Sequence, residues 1–109
     1  MTFTHLVFAL LLAFVQTAPR PSTFTGTISD SECANANHAG MRMGETDAEC
    51  VTACIEQHGA TYVLYDGSVS YRLSDQKAAA AFAARKVTVA GTLDEKSRTI
   101  QVQSIAAAK

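Results

Sequence analysis

Hydrophobic positions along the chain follow three rhythms. The first is a continuous run. Residues 6–15 read LVFALLLAFV, without a charge, and small or turn-forming residues follow in Thr17-Ala18-Pro19-Arg20-Pro21. A transmembrane helix needs about 20 apolar residues, so this run is too short for one. Its layout predicts a secretory signal peptide over 1–18 and an extended linker over 19–22. A cut after Thr17 and an uncleaved N-terminal anchor are the alternatives.

The second rhythm is period-two alternation, the mark of a half-buried strand. Over 23–29, Phe24, Gly26 and Ile28 share one face, and Thr25, Thr27 and Ser29 the other. Two more strands are expected at 61–65 and 68–73. Asp66-Gly67 between them is a two-residue hairpin signal. That loop sets Leu64 opposite Val69 and Tyr62 opposite Tyr71 on the inner face, with Val63 and Tyr65 outward. A fourth strand, 87–93, puts Val87, Val89, Gly91 and Leu93 together. A polar turn over 94–98 leads to a fifth, 99–104, with Ile100 and Val102 inward. The final AAAK, 106–109, is expected to be a flexible tail.

The third rhythm is helical. Thr46 and Glu49 form a capping box, and Gly59 suits the position just past a helix end, so a helix is predicted over 47–58. Cys50, Val51, Cys54, Ile55 and His58 make its apolar stripe. A second helix is predicted over 75–85 from its alanine-rich centre, the best helix former, with Phe82 as its one large anchor.

Together these elements predict a mainly β fold with two helices: a five-stranded OB-like barrel over 23–105, with a helix between strands three and four. Phe82 would plug the barrel bottom, and Gly26 and Gly91 would let its strands coil. A cysteine-bearing loop plus helix is inserted between strands one and two, at one of the two loops that line an OB barrel's ligand face. A small α+β sheet with both helices on one face is the alternative.

Composition narrows the function. The 109 residues fit one domain. Nine basic residues against ten acidic give a net charge of −1. This balance leaves no basic stripe, which excludes nucleic-acid binding by counterion release. No polybasic amphipathic segment holds a membrane surface, and no stable span is expected after cleavage.

The chemistry is concentrated in 33–58, which holds Cys33, Cys50, Cys54, His38, His58, Met41 and Met43. Three cysteines in an exported chain leave one unpaired. Cys33 can pair with Cys50 or Cys54, stapling the loop to the helix; closing such a loop is worth roughly 3 kcal/mol. A metal site is the other reading. Cys50 and Cys54 sit four apart on one helix face, Cys33 is a third ligand, and His38 or His58 a fourth, a zinc composition. Soft sulfur also suits copper as Cu(I), to which Met41 and Met43 can contribute. Thiol-redox chemistry is a third reading, although no Cys-x2-Cys is present. Each residue also has a plainer role. Buried cysteines pack as small hydrophobes, and a histidine in a last helical turn favours the helix dipole.

The chain resembles a family of small secreted bacterial proteins of unknown function, common in acidobacteria. The resemblance rests on Gly26-Thr27-Ile28-Ser29-Asp30-Ser31-Glu32-Cys33, on the Cys50-x3-Cys54 helix, on Tyr62-Val63-Leu64, and on the closing segment 86–94. It covers nearly all of the chain after the leader. It departs after the first cysteine, where Ala34 replaces a glycine and His38 lies five residues on rather than four. The resemblance implies export and an OB-like fold, and no activity.

The expected protein is therefore a periplasmic or extracellular module, a binder rather than an enzyme. It would bind an unknown small ligand or envelope protein through a cysteine-stapled loop. A zinc or copper protein using Cys33, Cys50, Cys54 and His38 or His58 is the alternative, and a thiol-redox protein the second.

Overall fold

The computed structural model describes residues 21–109. The signal peptide expected over 1–18 lies outside the described residues. The expected linker is already strand by Ser22. In chain order the elements are β1 (Ser22–Asp30), α1 (Asp47–His58), β2 (Tyr62–Tyr65), β3 (Ser70–Leu73), α2 (Gln76–Ala80), β4 (Lys86–Asp94) and β5 (Thr99–Ala107). The fold is mainly β with two helices. Its five strands form one sheet that closes in a ring, in the order β1-β2-β3-β5-β4. No helix among the described residues is long and apolar enough to cross a membrane.

Closure depends on β1 serving two partners. Its first part pairs with β4, from Ser22↔Gly91 to Thr27↔Lys86, and its last part with β2, from Thr27↔Tyr65 to Asp30↔Tyr62. The handover falls beside Gly26. A Cβ there would collide with the Tyr65 carbonyl, and one at Gly91 would collide with that of Gln101. Both glycines are therefore close-approach positions, as a coiling sheet requires. The ring is narrowest where β3 meets β5. That pairing is parallel and spans only Arg72↔Thr99 and Leu73↔Ile100. Ser74 extends it: its N–H donates to the Ile100 carbonyl (3.0 Å), and its Oγ accepts from the Val102 amide (2.8 Å).

Alternation places Ile28, Leu64, Val87, Val89 and Ile100 inside the ring, all fully buried, with Val51 of α1 and Ala79 of α2 at its ends. Burying each large aliphatic is worth about 1.5–3 kcal/mol. Phe82 is half-buried against this cluster. Gln76 ties α2 to β2. Its Oε1 accepts from the Tyr62 amide (2.7 Å) and its Nε2 donates to the Tyr62 and Leu73 carbonyls (both 2.9 Å).

Three expectations change. The β2–β3 register slides by two residues, to Leu64↔Tyr71 and Tyr65↔Ser70. The Asp66 carboxylate accepts the Ser68 and Val69 amides (both 2.8 Å), so a longer Asx-stabilised loop replaces the two-residue turn. A slide of two keeps every side chain on its expected face. Next, α2 is only five residues long, not the eleven of 75–85. Its alanines favour helix locally, but only Ala79 is buried. Ala84 instead takes a left-handed conformation (φ 62°) and donates to the Ile28 carbonyl (2.8 Å), turning the chain into β4. Finally, β5 runs to Ala107, with Ala106 and Ala107 paired to Thr88 and Val87, where a flexible tail was expected.

Candidate metal centre

The centre starts at the end of β1. Alternation that points Ile28 into the ring points Asp30 the same way, one pleat further on, and Asp30 is fully buried. Its Oδ1 accepts the amides of Glu32 and Cys33 (both 3.0 Å), folding the chain into a tight turn. Ser29 Oγ closes that turn by donating to the Cys33 carbonyl (2.6 Å). The turn brings the Cys33 side chain back over Asp30. Asn35 and Asn37 make two further Asx turns, accepting the Asn37 and Ala39 amides (both 3.1 Å). These carry His38 inward, where it is 4% exposed. Ligand atoms of Asp30, Cys33 and His38 all lie within 4.8 Å of one another, and the three can hold a metal ion.

α1 forms the lid. Its N-terminus is fixed by the expected capping box: Thr46 Oγ1 accepts the Glu49 amide (3.1 Å) and Glu49 Oε2 accepts the Thr46 amide (3.3 Å). Gly59, left-handed at φ 64°, ends it. Cys50, Val51 and Cys54 are its buried residues. The two thiols differ in their surroundings. Cys50 Sγ accepts the Met43 amide (3.4 Å) and donates to the Met41 carbonyl (3.3 Å), so the loop backbone already engages it. Cys54 Sγ has Met43 Sδ at 3.8 Å and faces the Asp30 carboxylate.

Burial pushes the Cys54 thiol up to about 11, with the Asp30 charge as the next cause. Cys33 is raised by burial first and then by Asp30. Both thiols therefore stay protonated near neutrality unless a cation offsets these effects. That is the reverse of the lowered pKa a redox-active thiol needs.

Two polar atoms in the centre have no hydrogen-bond partner: Asp30 Oδ2 and His38 Nδ1. A buried carboxylate with an unsatisfied oxygen carries a desolvation penalty, as does an unpaired buried imidazole nitrogen.

The expected site residues divide accordingly. Cys33 and His38 come together, and Cys50 and Cys54 cover them. His58 does not join. It is exposed in the last turn of α1. It lies eight residues from Cys50, and at 100° per residue it has rotated about 80° off that cysteine's direction. The three cysteines are all free and buried, so the stapling disulfide is not formed among them. Asp30 is not among the ligands that the sequence suggests, because a carboxylate just past the end of the expected strand is ordinary. Its signal was the spacing Asp-x-x-Cys, the span of an Asx-type turn. Comparison with family models finds no match to the chain, and comparison with curated proteins and solved structures finds none of significant similarity.

Proposed function

We propose that the protein is an exported, OB-like module that holds one zinc ion through Asp30, Cys33, His38 and Cys54. The observation that carries the reading is the buried trio itself: ligand atoms of Asp30, Cys33 and His38 lie within 4.8 Å of one another, and Asp30 Oδ2 and His38 Nδ1 have no hydrogen-bond partner. A purely structural role for Asp30 accounts for Oδ1, which caps the turn. It leaves Oδ2 and Nδ1 unexplained. A single cation satisfies both and favours the thiolates. Carboxylate, imidazole and thiolate together are a donor set zinc accepts in tetrahedral sites. Cys54 is taken as the fourth ligand because it is buried near enough to Asp30 and Cys33 to feel their charge, whereas the loop backbone engages Cys50. With all ligands buried, the site is closed, which suits a structural or metal-holding role rather than catalysis. Export rests on the leader-like sequence and on the resemblance to small secreted proteins.

Cu(I) is the second reading, carried by Met43 Sδ beside Cys54 Sγ, a soft pair next to two further thiols. Metal analysis of the chain purified without added metal tests both. One zinc per chain, with three free thiols after denaturation in chelator, is the expected result. Replacing zinc by cobalt should give the absorption of a tetrahedral thiolate site, lost in Cys33→Ser and weakened in His38→Ala. One copper per chain would replace the first reading by the second. A chain that takes up neither metal while its three thiols remain reduced would end both.

A further inference from the structure

A second feature lies beside β2 and β3 and reaches Ala34 of the loop after β1. It is a hollow of about 400 Å³ open to solvent. Ser31 contributes from the turn after β1, Ser70 and Arg72 from β3, and Lys96, Ser97 and Arg98 from the turn between β4 and β5. Past Ser31 and Arg72 it adjoins another hollow of about 530 Å³. Val63, buried although it points outward, forms part of the lining of both. No acidic side chain lines either one. In a chain of net charge −1, three cations around one hollow without an acid is an arrangement that overall composition does not supply.

The cations are also uncompensated. The ion pair found among the described residues is Arg42–Asp47, elsewhere in the chain. Asp94, nearest in sequence, uses Oδ1 to accept the Lys96 and Ser97 amides (3.0 and 3.5 Å). Glu95 lines a different hollow, shared with Arg98. Arg72 and Arg98 are held side by side, since the Arg72 amide donates to the Arg98 carbonyl (2.9 Å). Two guanidinium groups lining one hollow repel unless an anion lies between them. Arg98 further adopts a left-handed backbone (φ 52°), a conformation that glycine or asparagine takes at lower cost. Strain and repulsion converge on the residue that completes the ring of cations, as they do at ligand sites.

We infer that this hollow binds a small organic anion by its phosphate or carboxylate head group. Two guanidinium forks and an ammonium supply the charge, and serine hydroxyls the remaining hydrogen bonds. The inference does not depend on the metal. Calorimetric titration of the purified chain with inorganic phosphate and, separately, with citrate tests it; the stronger of the two identifies the head group. Saturable binding at millimolar or tighter is expected for at least one, and none for glucose. Arg72→Gln and Arg98→Gly should each weaken it about tenfold, the worth of one charge-assisted contact. Arg98→Gly relieves the left-handed strain, so its thermal stability should hold and a loss of affinity cannot be put down to misfolding. Saturation by neither anion would overturn the proposal. So would an affinity unchanged in the Arg72→Gln/Arg98→Gly double variant.

Discussion

Two fully buried layers sit next to each other in this molecule and are made on opposite principles. Inside the ring, Ile28, Leu64, Val87, Val89 and Ile100 form one apolar cluster, and the strands that carry them pair with one another. One pleat beyond Ile28, Asp30 begins a layer of carboxylate, imidazole and three thiols under α1, with two atoms left unpartnered. The first layer is complete without help. The second leaves two polar atoms unsatisfied. Equal burial therefore does not mean equal self-sufficiency, and perturbations should separate the two layers.

The largest separation should come from removing metal. If zinc completes the second layer, a chelator should lower stability by about 4 kcal/mol relative to protein in zinc at a thousandfold over its dissociation constant. Thermal unfolding with and without chelator reads this directly; an unchanged melting temperature would mean that the second layer needs no ion. Next in size is Leu64→Ala. It should cost about 3 kcal/mol by emptying the ring, by the same amount with and without metal. A metal-dependent cost, seen in denaturant titrations, would show that the layers are not separate.

Alkaline pH should give a third, intermediate contrast. Cys54 is raised from 9.0 to about 11, so the native state holds its proton after the unfolded chain has lost it. Stability present below pH 9 should then be lost as pH rises toward 11. In the metal-loaded protein the thiolates are already deprotonated, and this loss should vanish. Chemical unfolding at pH 8, 9 and 10.5, with and without zinc, measures the difference. The smallest effect is expected for Thr46→Ala, which removes the cap of α1 at about 1 kcal/mol. Because α1 carries Cys50 and Cys54 of the second layer as well as Val51 of the first, metal affinity should fall along with stability; a loss of stability alone would detach the lid from the site.

The first layer was largely legible in the sequence and the second only partly, for a common reason. Period-two alternation reports which face a residue takes, and it placed Phe24, Gly26, Ile28, Val87 and Val89 correctly. The capping box of Thr46 and Glu49 is equally local, and α1 begins and ends where these residues and Gly59 put it. What failed depended on competition. The β2–β3 register slid because one side chain, Asp66, bonds its own loop. The second helix stopped early because helix propensity at alanine is outweighed by the need to turn at Ala84. At the candidate metal centre, residue type alone draws attention to every histidine and cysteine alike. It could not tell that Asx turns carry His38 inward while helical rotation carries His58 out. Asp30 was overlooked because a carboxylate ending a strand is ordinary, and only its depth makes it otherwise.

The two-residue seam between β3 and β5 sets how this ring comes apart. Every other strand junction is antiparallel and holds more residue pairs. An opening that begins at Arg72↔Thr99 breaks the fewest bonds and turns the closed ring into an open five-stranded ribbon with two free edges. Such edges are templates for pairing with another chain. Ser74, bridging to Ile100 and Val102 just past the last paired residue, adds two hydrogen bonds at the seam where the ring opens at least cost, and so guards against exposing those edges.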